Sequence, residues 1–451
     1  MADDFDLIVL GGGSGGLAGA FRAAEHGARV ALLEPSALGG TCVNAGCVPK
    51  KAMWLAAELA GRIRLAGSLG FPVAPALPDW PVLVAQRQRY IERIHDSYRR
   101  RLDEAGIALL PQRGRLVAPR TVECEDGVSL SAPRVLVATG GHPFVPELPG
   151  AELAATSDDF FGWTAAPERV AIVGGGYVAV ELAGLLQALG SRVELFVRRP
   201  RLMESFDAEL TAMLAEDYRQ AGVRLHFGHE ARMFERDARG IRVHLRADGR
   251  DLSVGGFDAL LLATGRRPNT AGLGLEAAGV DLDARGHVRT DARNDTSAAG
   301  VFAVGDVASD PPLTPVAIAA ARRLMDRLFG GVDRPLERDG IPTVVFSHPP
   351  IGKVGLTERQ ARERHGDQAV HVARSGFRPM LHALADSPQR SLFKLVCAGP
   401  QRRVVGLHLL GEGADEILQG FAAAMKRGIT LDDLHDTVAI HPTSAEEVVL
   451  M

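Results

Sequence analysis

Two of the four cysteines in this 451-residue chain, Cys42 and Cys47, lie in the segment Gly-Gly-Thr-Cys-Val-Asn-Ala-Gly-Cys-Val-Pro-Lys-Lys, residues 39–51. A pair so spaced suits reversible disulfide chemistry, in which one thiolate opens an external disulfide and the second thiol resolves the mixed disulfide. Metal sites favour Cys-x2-Cys spacing or nearby histidines, and this stretch offers neither. A structural disulfide is the plainer alternative, yet the composition is not that of a disulfide-stapled secreted chain. The remaining pair, Cys124 and Cys397, sits in strand-like apolar settings that suit ordinary buried thiols. Near the C-terminus runs His441-Pro-Thr-Ser-Ala-Glu446-Glu447. Thr443 and Glu446 fit a capping box, which by itself explains Glu446. His441 precedes a proline, is therefore expected to be extended, and stands beside a carboxylate that could orient it as a general acid for a leaving thiolate.

The dithiol follows a strand, a glycine turn and a helix. An apolar run at 7–10 leads into Gly11, Gly13 and Gly16, which fit G-x-G-x-x-G; a helix through His26 and a strand over 29–33 close on Glu34. Such a turn brings a pyrophosphate to the helix N-terminus, and Glu34 can accept hydrogen bonds from a ribose diol. A second copy starts at Val170, with Gly174, Gly176 and Ala179, a helix through Leu189 and a strand over 192–197. Twenty-three residues separate Gly11 from Glu34, and the same step from Gly174 reaches Val197, followed by Arg198 and Arg199. Cations in place of a carboxylate suit a 2'-phosphate, so NADPH is expected over NADH, with a solvated strand end as the bland alternative.

The strand-like run 135–140, which ends Thr139-Gly140, recurs at 260–265, and the stretch 296–306 ends on Asp306, placed to meet the ribityl chain of a flavin. The chain therefore leaves its first domain, builds a second and returns. From about residue 336 the pattern becomes a separate α/β module with strands at 343–346, 392–396 and 404–410 and a helix over 414–427. Fifty-one basic against 55 acidic residues, a formal charge of -4, carry no bias toward nucleic acid. No apolar stretch approaches the length of a membrane span, and the first residues read as neither signal nor transit peptide, so the expectation is a cytoplasmic protein with no membrane partner.

These segments, with Lys50-Lys51-Ala-Met-Trp54, Val304-Gly-Asp306 and Thr343-Val-Val-Phe-Ser-His-Pro-Pro350, resemble the pyridine nucleotide-disulfide oxidoreductases nearly end to end. Among them the chain is most similar to the members that reduce glutathione disulfide. Lipoamide dehydrogenases and mercuric reductases usually carry Ser where this chain has Lys50, and the long thioredoxin reductases carry an extra C-terminal redox pair, whereas no cysteine follows Cys397. The resemblance implies an α/β fold with two Rossmann-like domains, the second inserted in the first, and a C-terminal dimerisation domain. The corresponding boundaries are 1–145 and 269–335 for the FAD-binding domain, 146–268 for the NADPH-binding domain and 336–451 for the interface domain.

It further implies a homodimer whose active sites are shared between subunits. Cys42 would attack the substrate, Cys47 would make charge-transfer contact with the flavin, and His441, held by Glu446, would act as acid-base from the partner subunit. Lys50 and Glu181 match the pair near flavin N5, and Tyr177 matches the ring that covers the flavin until NADPH enters. Thr41, Thr139, Gly140 and Ser14 fall among the FAD positions, and Arg201, Gly265 and Arg266 among those for NADPH. Ser14, Tyr90, Tyr98, Ile318 and Arg322 match positions lining the substrate site.

Two departures stand out. Phe21 occupies a position that is usually polar or basic in the glutathione-reducing members and aromatic in trypanothione reductases, whereas Ala18 and Arg22 keep the glutathione pattern. Glu204 replaces the usual second phosphate-binding arginine, six residues after Arg198, with Arg199 and Arg201 available to compensate. Reduction of a related low-molecular-weight disulfide, a flavin NADPH oxidase with a regulatory dithiol and a non-catalytic FAD-binding scaffold are the alternative readings. The last two make no use of His441 or of the second nucleotide unit, respectively.

Overall fold

The computed structural model describes residues 4–74, 77–308 and 311–451. Strand Leu7–Leu10 is buried at every position, as a central parallel strand covered on both faces must be. It pairs in parallel with Val30–Leu33 on one side and Val135–Val137 on the other, and the sheet runs Val301–Ala303, Val135–Val137, Leu7–Leu10, Val30–Leu33, Ala108–Leu110. Residues 301–303 thus return to the first sheet after the chain has built a second. That second sheet is also parallel, in the order Arg224–Phe227, Arg192–Val197, Arg169–Val173, Ala259–Leu262, Ala155–Thr156. A two-stranded antiparallel pair, Gly141–Pro143 with Arg266–Pro268, ties the two crossings together.

The C-terminal module is an antiparallel sheet in the order Thr343–Val345, Ile351–Gly355, Arg403–Leu410, Ser391–Ala398, Val370–Phe377. Helix Ala414–Met425 packs on it; the expected helix to 427 stops short because the chain turns into Gly428, whose φ is +80°. Likewise the strand expected over 135–140 ends at Val137, and Gly140, at φ +70°, turns the chain out of the sheet. Two small antiparallel sheets, 114–131 and 230–257, flank the parallel ones.

Two helices place the redox segment. Cys47–Ala66 starts on the second cysteine and buries Lys50, Met53, Trp54 and Ala57. Trp80–Glu104 starts at Asp79, whose carboxylate accepts the Val82 amide, and has Pro81 in its first turn, where a missing N–H costs nothing. Met53, Ala57 and Trp80 belong to one apolar core with the helix Tyr177–Ala188 of the second unit and with Val345, Ile351 and Leu410 of the C-terminal module. The three units share that core, so the dithiol segment is fixed relative to all of them.

Candidate active site

Both glycine turns are shaped as cradles. At Gly11, φ is +105° and a Cβ would lie 2.6 Å from the Ala138 carbonyl oxygen, so only glycine allows the close approach. At Gly176 the space where a Cβ would project is open to beyond 4 Å. The helices Ser14–Glu25 and Tyr177–Ala188 begin at Gly13 and Gly176 with no side chain capping them, which leaves their first amides free for a diphosphate. Glu34 accepts the amides of Gly12 (2.7 Å) and Ser36 (2.9 Å), fixing its carboxylate at the end of the second strand. These features fit FAD at the first turn and a nicotinamide dinucleotide at the second. Ala179 is wholly buried and serves helix packing. Thr139 and Asn269 exchange hydrogen bonds, Thr139 Oγ1 donating to the Asn269 carbonyl and Asn269 Nδ2 to that of Thr139.

Cys42 lies on the short helix Gly40–Asn44 and Cys47 opens the next one. The two sulfurs titrate together. Cys47 is pulled down to about 6, first by a hydrogen bond from Cys42, then by Thr314 and the Lys50 charge; its sulfur is 3.6 Å from Thr314 Oγ1. Cys42 is pushed up, first by the Cys47 thiolate to which it donates and then by burial, while Thr314 and Ser14 act the other way. The arrangement is a thiolate at Cys47 and a proton on Cys42.

Behind Cys47, Lys50 Nζ is buried 2.8 Å from Glu181 Oε1 and 3.7 Å from the centroid of the Phe346 ring. The Phe346 amide donates to the same Glu181 oxygen at 2.8 Å, so each of the three units contributes one member. Lys51 pairs with Asp415 at 3.1 Å. Tyr177 opens its helix and is 43 % exposed as a residue; desolvation by the surrounding protein raises its hydroxyl, and Arg266, Asp306, Glu181 and Cys47 act on it electrostatically. Arg266 reaches Asp306 (3.6 Å), the Gly141 carbonyl (2.5 Å) and Thr41 Oγ1 (3.4 Å), all in the first unit.

His441 Nδ1 is 3.0 Å from Glu446 Oε2, and the histidine side chain is 79 % exposed. Glu446 also accepts the Thr443 amide at 3.3 Å while its own amide donates to Thr443 Oγ1, so the reciprocal bonds expected of a capping box share the carboxylate with the histidine, although the helix itself starts at Glu446 behind Ala445.

Residues 5–321 match the family described as pyridine nucleotide-disulphide oxidoreductase, and residues 341–451 match its dimerisation domain. The chain belongs to this family. Among curated relatives of this oxidoreductase, the glutathione reductase of Schizosaccharomyces pombe is 43 % identical over 459 residues, covering 99 % of this chain and 98 % of the relative. That of Yarrowia lipolytica is 40 % identical over 464 residues, with 99 % and 98 % covered.

Several expected contacts look different in three dimensions. Arg22, expected at the substrate, donates to Asp326 (2.5 Å) and Glu25 (2.8 Å). Arg201 is turned into its own loop, donating to the carbonyls of Phe206 (3.1 Å) and Glu204 (2.6 Å) and to Thr211 Oγ1 (3.3 Å), so it is not free for a phosphate. Glu204 pairs with Arg199 at 3.6 Å, while Arg198 stays exposed at the strand end. Arg322 and Tyr90 are exposed, and Ile318 is half-buried. Thr314 and Phe346 escaped the sequence reading. A threonine opening a helix and a backbone amide carry no mark of their role, although Phe346 lies inside a motif that the resemblance had already marked.

Proposed function

We propose that this oxidoreductase is an NADPH-dependent flavoprotein that reduces glutathione disulfide to two glutathiones, a glutathione-disulfide reductase. The observation that carries the reading is the Cys42–Cys47 pair, biased toward one thiolate and backed by Lys50–Glu181, in a chain aligned end to end with glutathione reductases. Bound FAD would supply the relay of an electron pair from NADPH to the disulfide. Gly11, Gly13, Gly16, Glu34 and Asp306 would hold it, and Gly174, Gly176 and Arg198, with Arg199, would receive NADPH.

Once the pair is a dithiol, Cys42 attacks one sulfur of the substrate as His441 takes its proton. The substrate S–S bond breaks, a Cys42–glutathione bond forms, and the leaving thiolate collects the proton from His441. Cys47 then attacks Cys42, restores the Cys42–Cys47 disulfide and releases the second glutathione thiolate, which takes a second proton from solvent through His441. Two electrons and two protons pass to the substrate. The raised Cys42 thiol supports this division of labour, because it needs a base at the moment of attack, whereas Cys47 does not. Glu446 orients the imidazole and stabilises its cation.

His441 is exposed on its own chain beside Val438 and Ile440, 91 % and 74 % exposed, which supports a homodimer in which His441 serves the partner subunit's dithiol. No helix among the described residues is long and apolar enough to cross a membrane. The two cysteines outside the redox pair, Cys124 and Cys397, are buried and unbridged, which supports a reducing compartment such as the cytoplasm and a role in thiol redox homeostasis. Phe21 favours, as a second reading, a related low-molecular-weight disulfide. A steady-state panel of glutathione disulfide, trypanothione disulfide, lipoamide and oxidised thioredoxin, each with NADPH and NADH, tests both. Highest kcat/KM with glutathione disulfide and NADPH is expected; preference for another disulfide would overturn the assignment.

A further inference from the structure

The resemblance sets a polar or basic residue at position 21, on the helix that carries Ser14, where this chain has Phe21, and the adjoining Arg22 is paired with Asp326 and Glu25. Glutathione disulfide, with two carboxylates and one ammonium on each half, still needs cations there. The structure supplies one from the other wall of the cleft. The guanidinium of Arg101, in the last turn of helix Trp80–Glu104, lies 4.4 Å from the centroid of the Phe21 ring. Arg101 is exposed, and the structure gives it no carboxylate partner among the described residues. Held over an aromatic face, an arginine makes no hydrogen bond to the ring and keeps its N–H donors for a carboxylate, which can meet them with two parallel hydrogen bonds.

Its place relative to the reacting sulfur follows from Tyr98. Residues 98 and 101 are three apart on one helix and so share a face. Tyr98 and Phe21 pack against the same core. The Tyr98 hydroxyl, raised mainly by burial, feels both the Cys42 sulfur and the Arg101 charge. Ser14 acts on Cys42 from the helix that carries Phe21. Ser14 and Tyr98 therefore stand at the thiol, with Phe21 about two helical turns from the first and Arg101 about one turn from the second. Within a glutathione half the cysteine and the glycyl carboxylate are neighbours, roughly 4–7 Å apart along the chain, so a cation anchoring that carboxylate also positions the disulfide.

We propose that Arg101, held over the Phe21 ring, binds a glycyl carboxylate of glutathione disulfide and supplies the cation that the family resemblance would set at position 21. Phe21 is then a positioning residue, and the aromatic at that position is compatible with an anionic substrate. The inference rests on the glutathione reading above.

The test is steady-state kinetics of the holoenzyme with saturating NADPH and two disulfides: glutathione disulfide and the disulfide of glutathione ethyl ester, whose glycyl carboxylates are capped. Arg101→Gln should raise KM for glutathione disulfide about tenfold, as expected for a lost charge-assisted contact, with kcat changed less than about twofold. Toward the ester, wild type and variant should coincide. Phe21→Arg in the Arg101→Gln background should restore most of the lost affinity. An unchanged KM in Arg101→Gln, or an equal loss toward the ester, would overturn the assignment while leaving the enzyme reading intact. Wild-type enzyme inactive on glutathione disulfide but active on another disulfide would overturn that reading and this inference with it.

Discussion

Replacing Cys42 by alanine and by serine separates what its sulfur does as a nucleophile from what its S–H does as a donor. In the dithiol, Cys47 is held at about 6 first by the Cys42 hydrogen bond, with Thr314 and Lys50 contributing after it. A hydrogen bond to a charged group contributes about 1.5–3 kcal/mol, and roughly 1.4 kcal/mol moves a titration by one pH unit. Alanine donates nothing, so the Cys47 midpoint should rise by roughly one to two pH units, limited to that range because Thr314 and Lys50 remain. Serine carries a donor on the same carbon and should leave the midpoint near its original place. Because only the thiolate reacts, the rate of iodoacetamide alkylation at Cys47, followed by mass spectrometry from about pH 5 to pH 10, reads the thiolate fraction directly. The sign is fixed by the charged form: a depressed thiol is ionised above its midpoint, so at neutral pH the serine variant should react near its plateau and the alanine variant several-fold below its own. Identical midpoints in the two variants would refute Cys42 as the donor. A midpoint near the ordinary thiol value of about 8.5 in both would refute the thiolate site itself. Both variants should lose glutathione disulfide turnover, since neither retains the attacking sulfur.

His441→Ala should lower turnover by about 10²–10⁴-fold, with NADPH-driven flavin reduction in single-turnover mixing unaffected; equal loss in both half-reactions would make His441 structural. Glu446→Gln, which keeps an oxygen for the Thr443 amide, should lower kcat with little change in melting temperature, and a loss of stability instead would show that capping is the larger of its two roles. Arg198→Ala should weaken NADPH by about tenfold, the loss of one charge-assisted contact, and leave NADH unchanged, while Glu204→Ala should strengthen NADPH by freeing Arg199 from its 3.6 Å pair. Arg201→Ala should lower stability and spare the cofactor preference. Lys394 is buried among Asp207 (3.0 Å), Glu209 (3.1 Å) and Glu358 (2.7 Å), so Lys394→Met should cost about 3–5 kcal/mol in denaturant unfolding at neutral pH. Against burial, which pushes it up, Lys394 and Arg362 hold Glu358 down at about 2; its contribution is complete above an unfolded value of about 4.3 and is lost as pH falls toward 2, and that acid limb should flatten in Lys394→Met.

What was legible in the sequence was local. The glycine turns, the Cys42–Cys47 spacing and the capping box at Thr443 and Glu446 are each contained within a few residues, where backbone geometry dictates residue type. Val197 followed by arginines was legible by position alone, but which arginine faces a phosphate was not. Arg201 is drawn off by three acceptors within ten residues of it, and Glu204 by Arg199, and both outcomes depend on how the loop after the strand folds back. The partner of Arg22 was not legible for the same reason, since Asp326 lies 304 residues away in sequence and beside it in space. Thr314 could not have been found at all, because hydrogen bonding to a thiolate asks only for a hydroxyl at one distance.

The Lys50–Glu181 pair raises a different question, because burying such a pair contributes little to stability on its own. Its desolvation is offset by the Phe346 amide and ring, so holding a fixed positive charge behind Cys47 occupies one group from each of the three units. That arrangement is better explained by the charge than by the fold, since apolar side chains would fill the same space at no such cost. The thiolate bias is therefore a property of a single chain, complete once its three units share their core. Proton transfer is not: His441 points away into solvent beside Val438 and Ile440, and on the dimer proposed above it meets a dithiol only when a second copy covers that surface. On that proposal one chain poises the sulfurs, and opening a substrate disulfide at full rate takes two.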